Sequence, residues 1–245
     1  KELSGRVGLA LDPCAAIQVP FFMADGEEQE IIFRLGAGKD INDARTIAKQ
    51  FRGSDAAHES LKKVKDYWKH TVGALRVETP DAAINMITNG WLTYQTLSSR
   101  LWGRSGYYQS GGAFGFRDQL QDVLSLLHAA PQLARKQILL CAAHQFKEGD
   151  VQHWWHPPTG RGVRTRISDD FLWLPLVTSL YILHTADTGV LDESAPYLEG
   201  RLLNQGEESY FDLPVQSDRP AKLYDHCVQA IKHGFNYGEH GLPLI

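Results

Sequence analysis

Cysteine is scarce in this chain. Cys14, Cys141 and Cys227 are the three present, far apart, outside any C-x-x-C pair and odd in number. That spacing disfavours a zinc site and a disulfide framework. It fits free thiols acting as small buried hydrophobes in a reducing compartment, and so sets a cytoplasmic expectation. Neither sign of charge is in marked excess, with 25 Lys and Arg against 29 Asp and Glu. Without a basic footprint or a block of like charge, no nucleic-acid partner is expected. Long apolar runs are also missing: the longest, Leu172 to Ala186, is interrupted by Pro175, Thr178, Ser179 and His184 and is short for a bilayer span. Lys1 to Gly5 has no signal-peptide pattern. The expectation is a soluble piece, free or carried by a membrane-bound parent. The absence of GxSxG, P-loop, dinucleotide and HExxH fingerprints removes serine hydrolysis, nucleotide chemistry and nicotinamide chemistry, and no metal or organic cofactor is expected.

What is present begins with two short β-branched and aromatic runs, Ala16 to Ala24 and Glu30 to Leu35, separated by the turn-like ADGEEQ. They read as two strands, which need a larger sheet or a packing partner because a lone pair is not stable. From Ile41 onward helical periodicity takes over. Helices are expected over Ile41 to Arg52 and from Ser54 or Asp55 to about Leu75. The next opens at Thr79-Pro80-Asp81, with Thr as cap and Pro at the first helical position, runs to about Leu101 and buries Ile84, Ile87, Trp91, Tyr94 and Leu97. Further helical patterns cover Phe116 to His128, Pro131 to Phe146, Asp170 to Thr185 and Pro220 to Phe235. The succession predicts a mainly α fold of paired hairpins in an α/α array.

Two segments, Glu148 to Ser168 and Asp187 to Arg219, show no period and read as long loops. The first carries His153-Trp154-Trp155-His156, whose spacing does not make a closed metal site; sugar stacking and plain loop packing are both open to it. Arg161, Arg164 and Arg166 suit an anion such as phosphate, or are surface charges. Ser168-Asp169-Asp170 serves as a cap with an acidic first turn, or as a carboxylate pair for sugar hydroxyls or acid-base work.

The chain is organised around Tyr107 to Asp122, YYQSGGAFGFRDQLQD, where a glycine-rich aromatic loop runs into a helix. Gly111, Gly112 and Gly115 let the main chain fold tightly, and Tyr107, Tyr108, Phe114 and Phe116 add flat faces beside Arg117 and Asp118. Flat faces next to a fixed cation and carboxylate suit a sugar ring, so the chemistry points to carbohydrate. An ordinary amphipathic surface helix, with Asp118 and Asp122 on one side and Leu120, Leu124 and Leu127 on the other, gives the same pattern.

Read together, GRVGLALDPCAAIQ, YQSGGAFGFRDQLQDVL, RTRISDDFLWLP and LYDHCVQAIKHG followed by GEHGLPLI resemble the phosphorylases of glycoside hydrolase family 94, the cellobiose and chitobiose phosphorylase-like enzymes. Within the family the chain looks like the phosphorylase-like domain of cyclic β-1,2-glucan synthases. The resemblance implies the tail of a β-sandwich domain over residues 1–38, a helical linker over 39–77 and the opening part of an (α/α)6 barrel over 78–245. It implies an inverting phosphorylase, in which inorganic phosphate attacks a β-glucoside to give α-glucose 1-phosphate, so that one carboxylic acid suffices and no water-activating base is needed.

By the same resemblance Arg117 and Asp118 hold the sugar, and Asp169 and Asp170 match an aspartate pair near the same pocket and are expected as substrate contacts. From the residues themselves, Asp122 and Trp155 are expected as further substrate contacts and Arg164 as a phosphate contact. Ser110-Gly111-Gly112 stands where cellobiose-type members carry an arginine, which points to a β-1,2-glucan. The family's general acid is expected after Ile245, so no catalytic acid is expected within the chain and the piece alone is expected not to turn over. The implied partners are a β-glucan oligosaccharide, inorganic phosphate, the remainder of a parent chain and a second copy in a homodimer. The alternatives are a carbohydrate-binding module without catalysis, or an inverting hydrolase with a second carboxylate.

Overall fold

A computed structural model describes residues 3–5, 7–8, 14–104 and 111–242. The chain divides into two compact units, Lys1–Lys65 and Asp66–Ile245. Tyr107, Tyr108 and Ser110 of the aromatic loop lie outside the described residues.

In the first unit the two expected strands do not form: no described residue between 14 and 38 pairs in a sheet. The turn between them does form, with Gly26 at φ +78° and Glu27 N–H donating to the Ala24 carbonyl at 3.2 Å. Two short runs lack the further strands that a stable sheet requires, so no sheet ladder forms over them. Helix α1, Ile41–Gln50, starts where Asp40 Oδ1 accepts from Asn42 N–H at 2.7 Å and Asp43 N–H at 2.9 Å, a side-chain cap for donors that have no intrahelical partner. Helix α2 runs Ser54–Val72.

The second unit holds the main core. Its first helical stretch begins with α3, Ala82–Met86, and continues through wide turns at Ile87–Trp91, α4 at Leu92–Gln95 and wide turns at Thr96–Gly103. Asp81, not Thr79, is the cap, because Thr79 is held by Asn85 through its N–H at 2.8 Å and its hydroxyl at 2.9 Å. The stretch bends at Asn89 and Gly90, whose φ of +117° is closed to most residues. Of the five residues expected to be buried here only Leu97 is; Ile84, Ile87, Trp91 and Tyr94 remain at the surface.

Strand β1, Phe114–Gly115, leads into α5, Phe116–Leu124, and Pro131 opens α6, Pro131–Ala142, at the position where a missing N–H costs nothing. The expected long loop after α6 is a β-hairpin instead, β2 at Gln152–His156 and β3 at Arg161–Thr165. After a short 3₁₀ turn at Asp170–Leu172 comes α7, Trp173–Thr185.

The second expected loop also contains strands: β4 Ser194–Ala195, β5 Leu198–Glu199, β6 Ser209–Asp212 and β7 Val215–Gln216. They precede β8 Ala221–Lys222 and α8, Leu223–Gly234. One antiparallel sheet has the order β1-β2-β3-β6, with β4 on β8 and β5 on β7 as small satellites. Helices α5, α6 and α7 pack on one another around Phe116, Leu120, Ile138, Leu174 and Val177, with Leu223 of α8 in the same core. The molecule is mainly helical, and the largest sheet among the described residues lies at the N-terminal end of α5. Among the described residues no helix is long and apolar enough to cross a membrane.

Candidate functional site

The junction of β1 and α5 is fixed by the hairpin. Phe114 pairs with Trp155 and Gly115 with Trp154. Trp155, 2% exposed, is stacked on His144 with ring centroids 3.7 Å apart and meets Phe114 edge-on at 6.1 Å. Gln119 donates to the Gly115 carbonyl at 3.2 Å and is itself bonded by Gln137, so the first turn of α5 is held from the core side. With Phe116, Leu120 and Val123 turned inward, Arg117 and Asp118 must face away from the core, as helical geometry requires.

They face an open cavity of about 470 Å³ whose wall includes Arg104, Gly115, Arg117, Asp118, His153 and Trp154. Arg104 ends the preceding helical stretch at φ 45° and is nearly buried, its side chain 6% exposed. Its guanidinium reaches Asp118 Oδ2 at 3.2 Å, Asp122 Oδ2 at 3.0 Å and the Ala113 carbonyl at 3.2 Å. The two carboxylates one turn apart are therefore bridged by one cation. Asp118 keeps Oδ1 without a partner among the described residues, while Asp122 is closed off by Arg104 and by Arg100 at 3.2 Å. Burial pushes the Asp122 carboxyl up despite these two arginines.

Arg117 donates to Asp169 Oδ2 at 2.8 Å, and this hydrogen bond holds the guanidinium firmly protonated. Burial works to raise the Asp169 carboxyl, but the Arg117 bond and charge outweigh it and keep it below the usual range, so Asp169 stays ionised. Asp170 is 1% exposed; its Oδ2 meets His153 Nδ1 at 2.6 Å, and its Oδ1 is buried without a partner. The Asp170 hydrogen bond raises the His153 pKa.

The sequence-predicted residues thus separate. Arg117 and Asp118 lie at the cavity wall, and Asp169 is joined to it through Arg117. Asp122 and Asp170 stand behind it, each bonded to a residue that lines it. Trp155 is a core residue, and Trp154, adjacent and on the opposite face of the strand, lines the cavity in its place. Arg164 is not free for phosphate: 1% exposed, it makes a two-pronged pair with Asp150 at 2.6 Å, reaches Glu148 at 2.9 Å and lies 3.8 Å over the Phe146 ring. Of the three glycines credited with unusual backbone, only Gly112 has a positive φ, +63°. Gly115 is ordinary extended chain, at φ −83° and ψ 133°.

Arg104 escaped the sequence reading. Its signal was faint, a cation ahead of Ser105-Gly106 at the end of a helical pattern. Among the described residues, no three His, Cys, Asp or Glu side chains gather as a metal cage. The arrangement offers a fixed carboxylate acceptor, paired cations, an imidazole and an indole face around a space of sugar size, which suits a neutral polyol better than an anion because every arginine at the wall already has its carboxylate.

Comparison with known proteins agrees with that chemistry. Residues 67–245 match the glycosyl hydrolase 94 superfamily catalytic domain, and residues 1–54 match the glycosyl hydrolase 94 supersandwich domain. The whole chain is 42% identical over 245 residues to the cyclic beta-(1,2)-glucan synthase NdvB of Rhizobium meliloti, covering 9% of that protein. It is 26% identical over 227 residues to the N,N'-diacetylchitobiose phosphorylase of Vibrio proteolyticus, covering 81% of this chain and 28% of the relative. It is 24% identical over 242 residues to the solabiose phosphorylase of Paenibacillus borealis, covering 98% of this chain and 28% of the relative. The chain therefore spans less than a third of these relatives. A mainly helical chain whose larger part matches an (α/α)6-barrel catalytic domain and whose start matches the supersandwich domain ahead of it belongs to the glycosyl hydrolase 94 superfamily.

Proposed function

We propose that this chain supplies the sugar-holding wall of an inverting β-glucan phosphorylase, with β-1,2-glucan as substrate and inorganic phosphate as the attacking group. The observation that carries the reading is Asp118: one carboxylate oxygen is fixed by Arg104 at 3.2 Å, and the other is left for a ligand in the cavity. A carboxylate held in this way accepts from sugar hydroxyls without having to be ordered first, and the Trp154 indole beside it offers a face for the ring's CH groups. The relative that is a cyclic beta-(1,2)-glucan synthase favours the β-1,2 linkage.

The proton for the leaving oxygen is not assigned to either carboxyl bonded to this wall. Asp169 is held ionised, and Asp170 is buried against His153. In this reading the acid comes from elsewhere in the whole protein, and the described chain binds without turning substrate over. Phosphate is likewise held elsewhere, since Arg164 is consumed by Asp150 and Glu148. The test is phosphate-dependent release of glucose 1-phosphate from β-1,2-glucan by the full-length protein. Asp118→Asn should cut that release by at least about a hundredfold, because a positioned acceptor is replaced by a group with one acceptor fewer. Cleavage that proceeds equally well without phosphate would instead make the protein a hydrolase, and binding without cleavage would make it a holding module.

A further inference from the structure

Asp170 is an expensive residue to bury. Its side chain is 1% exposed, and Oδ1 has no partner among the described residues. A buried carboxylate with one oxygen unmet loses hydration that its single hydrogen bond does not restore, so it is poor evidence of a device for stability. That one bond, 2.6 Å to His153 Nδ1, points at the cavity, because the His153 ring lines it. Nδ1 is fixed by Asp170, and Nε2 has no hydrogen-bond partner among the described residues.

We infer that His153 is a substrate-positioning donor whose Nε2–H meets a sugar oxygen in the cavity, that Asp170 is the residue that orients and charges it, and that glucan binding is therefore strongest when His153 is protonated. The inference rests on the reading of this cavity as a glucan site. The chemistry follows from the ring's two states. As imidazolium, His153 donates from both nitrogens, one to Asp170 and one to the ligand, and a charge-assisted donor is about twice as strong as a neutral one. As neutral imidazole with its proton on Nδ1, it offers the ligand only a lone pair, which a sugar hydroxyl still meets, but more weakly.

The surroundings favour the charged form. Asp170 acts first and most strongly on the ring, and Asp118 of α5 adds to it; Arg117 of α5 opposes, with its own charge partly spent on Asp169. Arg104, across the cavity, is occupied by Asp118 and Asp122. The cations of β3 face elsewhere, Arg164 to Asp150 and Arg161 over the Phe211 ring at 5.7 Å. His156 of β2 lies edge-on against Trp154 at 5.2 Å.

The experiment is calorimetric titration of the full-length protein with a β-1,2-linked gluco-oligosaccharide from about pH 5.5 to about pH 9, a range that brackets an upward-shifted histidine. The wild type should lose roughly tenfold in affinity across the range, the difference between a charged and a neutral partner. His153→Gln, which keeps a neutral donor, should bind with a flat profile near the weak, high-pH value. Asp170→Asn should move the midpoint of the profile to lower pH, and a pH titration of the His153 ring by NMR should show the same movement. Binding with a flat wild-type profile, or a slope that survives in His153→Gln, overturns the inference while leaving the glucan site standing. No binding at any pH removes the glucan reading and this inference with it. Should Asp170→Asn fail to fold, His153→Gln decides alone.

Discussion

A Cβ on Gly115 would lie 2.6 Å from Asp118 Oδ2 and 3.1 Å from its carboxyl carbon. The backbone at Gly115 is ordinary, so this glycine provides room for a carboxylate and not an unusual turn. Gly115→Ala therefore separates binding from folding. The fold should hold or gain slightly, by up to about 1 kcal/mol, because the unfolded chain loses freedom and the native φ is allowed. Asp118 must rotate off its position against Arg104, and glucan affinity should drop at least roughly tenfold, as displaced polar contacts do. Calorimetry of glucan binding beside a thermal melt checks both halves. A variant that binds as wild type would show that Asp118 does not meet the ligand in the orientation seen here. Arg117 and Asp118 were legible in the sequence because a glycine loop running into a helix start is a local signal. Arg104 was not, since its role depends on two carboxylates that a chain reversal brings to it.

At the scale of elements, the β2–β3 hairpin controls the site, and it is the element that the sequence concealed. Strands are found by alternation, but Trp154 and Trp155 are both large and apolar, and Gln152 and Arg164 are polar and buried, so the period of two is erased. Gln152 is inside because it accepts from His144 at 2.7 Å and donates to the Gly160 carbonyl at 3.0 Å, and Arg164 because Asp150 meets it. The remaining trace was punctuation, Pro157-Pro158-Thr159-Gly160, a turn signal between two short runs.

The same hairpin supplies a prediction. At Gly162 a Cβ would collide with the Trp154 carbonyl oxygen and come within 2.8 Å of Trp155 Cα, both main-chain atoms that cannot swing aside. Gly162→Ala should therefore cost about 2 kcal/mol or more, the usual range for overpacking a closed site. The loss should appear as a lower urea midpoint and altered tryptophan fluorescence. An unchanged midpoint would show that β2 and β3 do not approach this closely. The helices α5 to α8, by contrast, were readable from apolar spacing, because their buried residues repeat every three or four positions in a common core.

For the whole molecule, acid sensitivity follows from a histidine that the fold keeps neutral. His144 is sandwiched against Trp155 and donates to Gln152 at 2.7 Å; burial pushes its pKa down to about 4, against the smaller upward pull of that hydrogen bond. An unfolded histidine titrates near 6.5, so between about pH 4 and about pH 6.5 the unfolded chain binds the proton that the folded chain refuses. Stability from this group is complete above that window and falls as the pH drops through it, by on the order of 3 kcal/mol at the bottom. His153 acts with the opposite sign: its folded pKa is raised, so its contribution is full at low pH and fades as the pH climbs past that value. A single acid titration of the wild type would mix the two. The difference in urea unfolding free energy between wild type and His144→Asn isolates the buried ring, since every other titrating group cancels. That difference should shrink as the pH falls from about 6.5 to about 4 and stay level above. A difference that is constant across the window would mean that His144 is hydrated in solution, and that the His144–Trp155 stack does not close the core beneath the cavity wall.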